Sequence, residues 1–206
     1  MEKQIIISIG REYGSAGHAI GELLALIFGI PFYDRNLLDE IAEKKQGNSA
    51  ALRKYDEAPK KTFFSRTVRG YSNSPEDVIA NMQFDYLREK ADSGESFVIV
   101  GRCAEHVLKG HPALISFFVL GDTDEKAERI MKIRNCSKEE ALNHMARHDK
   151  KRKNYHNYYC DGKWGDSRYY DLSINSSRFG WEKTAAMMEY YIRERRNWMG
   201  DIIQYK

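Results

Sequence analysis

The sequence predicts an α/β fold organised around a parallel sheet. Three observations carry that expectation. Apolar, β-branched runs at 4–9, 97–100 and 114–120 are hydrophobic on consecutive positions, which suits strands covered on both faces. A glycine ends each run, at Gly10, Gly101 and Gly121. A stretch with helical spacing follows each, so strand, turn and helix recur as halves of βαβ units.

Taken in order, the first run is followed by a helix over 19–28 that stops at Gly29. Residues 47–74 are polar and glycine-bearing, and they lead into a helix with Pro75 in its first turn and Val78, Ile79, Met82 and Tyr86 inside. After the strand at 114–120, Thr123 caps a helix holding Ala127, Ile130 and Met131. Ser137 and Glu140 spell a capping box ahead of Ala141, Leu142 and Met145. Residues 147–169 are a basic run followed by a Tyr-, Asn- and Gly-rich loop. A further strand at 170–174 ends at Asn175, Ser176 and Ser177, and the last helix shows Ala185, Met188, Tyr191 and Ile192 on one side. The two polar stretches, 47–74 and 147–169, read as insertions that move over a site.

Composition removes several function classes. The chain has 206 residues, enough for a core without staples. Lys and Arg number 33 against 30 Asp and Glu, a net charge of +3, and 42% of residues are hydrophobic. That balance suits neither a disordered chain nor a polycation. Cys103, Cys136 and Cys160 are widely spaced and form no CxxC pair, so neither a zinc ribbon nor a disulfide framework is indicated. No signal peptide or membrane-length apolar run is present, and a cytoplasmic protein is expected.

In open α/β sheets ligands bind beyond the carboxyl ends of the strands. The first loop, Arg11, Glu12, Tyr13, Gly14, Ser15, Ala16, Gly17, His18 and Ala19, is therefore the first candidate. Small residues at 14–17 let backbone N–H groups converge on an anion, and the following helix adds its positive end. The spelling departs from GxxxxGK[ST]: Glu12 replaces the first glycine, His18 the lysine and Ala19 the hydroxyl residue. Two readings fit the loop alone, a phosphate cradle and a tight turn whose glycines serve packing.

Other blocks bear on the choice. They are Pro31-Phe32-Tyr33-Asp34-Arg35, Val100-Gly101-Arg102-Cys103-Ala104, the run from Lys151 to Tyr159, Trp164-Gly165-Asp166, and Tyr170-Asp171-Leu172-Ser173-Ile174-Asn175-Ser176-Ser177. With the first loop, they resemble the cytidylate-kinase-like family of P-loop kinases. The resemblance implies a nucleoside-monophosphate-kinase fold: one domain over 1–206 with a five-stranded parallel sheet. The core would be 1–33, 91–146 and 166–206, the acceptor-binding insertion 34–90 and the lid 147–165. It implies transfer from ATP to a nucleoside monophosphate, with Mg2+ as the metal and small nucleotides as partners, and neither nucleic acid nor membrane.

The resemblance also implies roles. Arg102 would hold the acceptor phosphate, beside Cys103 where the family has Asp. Asp34 and Arg35 would join the acceptor site, although Arg35 also fits a surface ion pair with Asp34 or Asp39. Arg147, Asp149 and Arg152 resemble the lid pattern Arg-x-Asp-x-x-Arg, whose arginines reach the transferring phosphates, while Lys150, Lys151 and Lys153 suit a solvated face. His18 supplies a cation only when protonated. With Ala19 unable to bind metal, magnesium would rely on phosphates and water, with Glu12 or Asp122 nearby. Glu12 also suits a cap or an ion pair with Arg11. Tyr155, Tyr158, Tyr159 and Trp164 suit hinge packing more than base stacking. Ser177 would border the adenine. A (d)CMP kinase is the leading expectation. The alternatives are a kinase for another small acceptor and a nucleotide sensor without turnover.

Overall fold

The computed structural model describes residues 3–34, 36–44, 67–68, 71–72 and 74–204. In chain order the elements are β1 (Ile6–Arg11), α1 (Gly17–Phe28), β2 (Phe32–Tyr33), α2 (Leu37–Lys44), β3 (Thr67–Val68), β4 (Tyr71–Ser72), α3 (Pro75–Asp92), β5 (Phe97–Val100), α4 (Ala104–Val107), β6 (Leu114–Leu120), α5 (Thr123–Arg134), α6 (Lys138–Tyr159), a 3₁₀ turn (Ser167–Tyr169), β7 (Leu172–Asn175) and α7 (Trp181–Gln204). Five parallel strands form the main sheet in the order β2-β5-β1-β6-β7. β3 and β4 pair as a small antiparallel ribbon.

The central strand explains the sheet. β1 is buried along its whole length, as its uninterrupted apolar run requires. Its side chains alternate. Ile7 and Ile9 join Ile20 and Leu24 of α1, Val98 and Val100 of β5, Phe117 and Val119 of β6, and Met188 and Ile192 of α7. Ile6 faces the other layer with Leu37, Leu38 and Ile41 of α2, Leu87 of α3 and Ile99 of β5. Helices therefore cover both faces. Phe117 is fully buried and meets Tyr191 edge-on at 5.6 Å between ring centroids. Phe117→Ala is expected to lower unfolding free energy by about 3–5 kcal/mol, measured by urea denaturation.

Two sequence expectations change. Residues 154–159, expected to begin a loop, are helical: α6 runs unbroken from Lys138 to Tyr159. No glycine or proline interrupts that stretch, and Tyr155 and His156 bury its far end. The capping box at Ser137 and Glu140 starts it as expected, but the cap of α5 is Asp122, one residue before Thr123. Two-residue β2 escapes periodicity, being held by pairing to Val98 and Ile99. Most of 47–74 lies outside the described residues, as does Arg35. Among the described residues no helix is long and apolar enough to cross a membrane.

Candidate functional site

The carboxyl ends of β5, β1 and β6 lie side by side, so the turns that follow them form one crevice. The turn after β1 winds tightly into α1. Gly14 has φ 90° and Ala16, the N-cap, has φ 62° with no side-chain cap. Gly17 admits no side chain, since an added Cβ would lie 2.5 Å from Arg11 Cβ. Among the described residues, the amides of Gly14, Ala16, Gly17, His18 and Ala19 find no acceptor. They leave an uncapped helix start, the arrangement that binds anions.

The loop's other groups are engaged. Glu12 accepts from Lys126 Nζ at 2.6 Å and from the Gly121 amide at 3.2 Å, so its partner is Lys126 and not Arg11. The Tyr13 amide donates to Asp149 Oδ1 at 2.7 Å. The Tyr13 ring stacks on His148 at 4.2 Å between centroids, and its hydroxyl accepts from Arg134 Nε at 2.7 Å. Burial, with Arg152, Arg134 and Arg147 adding to it, pushes the His148 pKa down to about 4, so the stacked imidazole is neutral. Arg152 lies over the Tyr13 ring, 3.4 Å from the Arg11 carbonyl oxygen and 3.7 Å from Asp149. α6 is thereby seated on the loop.

Beside the loop stands a buried cationic cluster. Arg102 is 2% exposed and Arg11 is 8% exposed. Gly101, Arg102 and Cys103 all have positive φ, at 82°, 59° and 53°. Two consecutive non-glycine residues held left-handed mark a turn that the surrounding structure enforces. Gly101 leaves room for the Arg11 guanidinium, which a Cβ there would strike. Arg102 Nη2 donates to the Asp34 carbonyl oxygen at 3.4 Å, and Arg11 lies 3.5 Å from the Asp34 carboxylate. Burial works to raise the Asp34 pKa, but the His18 hydrogen bond and the charges of Arg11 and Arg102 hold it at about 2. A small cavity of about 20 Å³ lies among Arg11, Arg102, Arg152, Tyr155 and Trp164.

His18 turns away from the lysine role. Its Nδ1 is 3.0 Å from Asp34 and its Nε2 is 3.3 Å from Glu22. The Asp34 bond raises the His18 pKa against the opposing effect of burial. That pairing supports the fold below the ordinary histidine pKa and is lost as pH rises through the raised one.

Arg102, Arg11, Arg152 and Asp34 come together, with Asp149 bridging to the loop. Arg147 does not join them: it is exposed and bonds His144 at 3.0 Å. Arg11 pairs with Asp34 at 3.5 Å within the cationic cluster. The Ser177 hydroxyl accepts from the Asp122 amide at 2.9 Å, and so ties the turns after β6 and β7 together. Asp122 is further occupied by Asn175 and Arg178. Cys103 packs with Phe84, Tyr155 and Cys160 in an apolar cluster. The Tyr159 ring contacts those of Tyr155 and Tyr158, and Trp164 meets Phe118, which fits the packing reading. Lys126, which holds Glu12, and Arg134, which holds Tyr13, carried no motif in the sequence.

Burial raises the Asp149 pKa to about 6, despite the Tyr13 amide and Arg152. The carboxylate is therefore neutral below about 6 and charged above it. An anion approaching the loop should meet less repulsion on the acid side. ATP affinity, titrated calorimetrically across this range, is expected to fall more steeply with rising pH in the parent protein than in Asp149→Asn. Comparing the two cancels the ligand's own titration, and identical profiles would remove Asp149 from the anion site.

Residues 6–178 match the model of the cytidylate kinase-like family. No curated protein matches the chain in sequence. Among solved structures, an uncharacterized protein from Eubacterium ventriosum ATCC 27560 is 40% identical, with a TM-score of 0.73 over 92% of this chain and 99% of that one. Shikimate kinase from Bacteroides thetaiotaomicron is similar in fold at 13% identity and TM-score 0.54, covering 92% of this chain and 98% of that one. Shikimate kinase from Acinetobacter baumannii, also 13% identical, gives 0.50 over 93% and 94%.

Proposed function

Because the chain belongs to the cytidylate kinase-like family and has the P-loop kinase fold, we propose that it moves the γ-phosphoryl group of ATP to a nucleoside monophosphate, with CMP or dCMP as first candidates. One observation carries this reading: a run of backbone amides opens α1 without a side-chain cap beside a buried arginine cluster, and Arg152 reaches both the loop's Tyr13 and the cluster's Arg11. The first suits a polyphosphate and the second suits a phosphate dianion. Residues 34–90 then form the acceptor-binding insertion and 147–165 the lid.

Phosphoryl transfer needs positioning and charge neutralisation. The amides of Gly14, Ala16, Gly17, His18 and Ala19 bind the donor phosphates. Arg102, fixed by its left-handed turn, binds the acceptor phosphate with two parallel N–H groups. Arg11 stays with Asp34 and keeps the Arg102 turn in place. Arg152, next to both sides, neutralises charge where the phosphoryl group crosses. A phosphate acceptor is already anionic near neutral pH, so no general base is required. When bound, magnesium supplies charge neutralisation on the phosphates. Glu12 and Asp122 are both taken by protein partners, so neither fits as a direct ligand, and phosphate oxygens and water would hold the ion.

The test is ADP formation with ATP, magnesium and a panel of monophosphates. Turnover with a pyrimidine monophosphate is expected. One observation favours the sensor reading: His18 is held by Asp34 and Glu22, away from a donor phosphate. Thermal stabilisation by ATP with no acceptor-dependent ADP would establish that reading instead.

A further inference from the structure

A second cavity, of about 520 Å³, lies away from the loop, between α4 and the segment before β7. Its lining includes His106, His111, Ser116 and Asp171. Ser116 lies in the first half of β6 and Asp171 just before β7, while Glu105, His156 and Tyr170 line both this cavity and the small one beside Arg11 and Arg102. Glu105, His156 and Cys160 also line it, and phosphotransfer gives Cys160 no task.

These three side chains form a compact, mixed donor set. Glu105, His156 and Cys160 are 7%, 6% and 8% exposed. A ligand atom from each lies within 4.8 Å of the other two. His156 Nε2 lies 2.6 Å from Glu105 Oε1, while the buried His156 Nδ1 finds no hydrogen-bond partner among the described residues. His156 and Cys160 stand four residues apart at the end of α6, which places both on one side of the helix. Glu105 comes from α4, three residues beyond Arg102.

One carboxylate, one imidazole and one thiolate match the ligand taste of zinc, and poorly match magnesium or calcium, which prefer all-oxygen sites. We propose that Glu105, His156 and Cys160 bind a zinc-like divalent cation at the floor of this cavity, with the fourth position open to it. The ion replaces the proton shared by Glu105 and His156 and the thiol proton of Cys160, and both protons leave to solvent. Bound there, it joins the end of α6 to α4 directly behind the Arg102 turn. The site is independent of the phosphotransfer reading, and its test needs no activity.

The full chain, stripped with a chelator and dialysed under reducing conditions, is titrated with zinc against a chromophoric chelator. One tight equivalent per chain is expected, undisturbed by excess magnesium. Loss of an outer-shell partner commonly weakens metal binding roughly 10–100-fold, so loss of a direct ligand in Cys160→Ser should cost at least that. Glu105→Gln, nearly isosteric, should weaken binding similarly and decides the matter if Cys160→Ser misfolds by circular dichroism. Cobalt in place of zinc should give a thiolate charge-transfer band that vanishes in Cys160→Ser. Zinc affinity equal in parent and variants, or a cobalt band that persists without Cys160, would overturn the site.

Discussion

Arg152→Ala is expected to lower kcat roughly 10³-fold, because an arginine that meets the transferring phosphoryl group is worth about 10³–10⁵ in comparable reactions. The effect should fall on kcat more than on either KM, since the side chain acts where charge moves and not where substrates are anchored. In the free protein Arg152 touches the Arg11 carbonyl, Asp149 and the Tyr13 ring. Those contacts hold α6 on the loop, so Arg152→Lys is the informative companion. It keeps the charge but loses the planar fork. If positioning and charge both matter, lysine should recover only part of the rate. A variant with unchanged kcat and raised KM for ATP would make Arg152 a donor-binding group only.

Arg102→Ala is expected to raise KM for the acceptor at least roughly 30-fold, the equivalent of about 2 kcal/mol for truncating a buried, hydrogen-bonded charge. ATP affinity should stay nearly unchanged, because Arg102 stands with Asp34 and Arg11 and not with the loop amides. Alanine in a left-handed conformation adds strain of its own. Arg102→Gly relieves that strain while still removing the guanidinium, and should show the same loss of acceptor binding. If ATP binding collapses in both, the two phosphate pockets have been assigned to the wrong sides.

Much of this was legible in the residues. Consecutive burial of Ile6, Ile7 and Ile9 made β1 a two-faced strand, and the glycines at 10, 101 and 121 marked where the crevice would open. Arg102 was singled out by the Gly101-Arg102 block of the family resemblance, at the end of such a strand. The rest needed tertiary structure. Phe32 and Tyr33 form a strand only through pairing to β5, and that pairing delivers Asp34 to Arg11 and His18. Lys126 reaches Glu12 across 114 residues, and no local pattern encodes such a pair. Arg147 is different, because helical phase alone explains it. Asp149, Arg152 and His156 are spaced to share one face of α6, whereas Arg147 lies two residues from Asp149, about 200° around the helix. Reading 147–159 as partly loop hid that phase.

The proposed transfer requires a donor-phosphate pocket at the loop amides and an acceptor-phosphate pocket at Arg102, joined at Arg152. The most direct measurement is calorimetric binding of an adenosine joined 5′-to-5′ through an oligophosphate bridge to cytidine. Such a ligand should bind more tightly than ATP alone, and Arg102→Gly should return its affinity to that of ATP. A bridged ligand that binds no better than ATP, or that is indifferent to Arg102, would contradict the account.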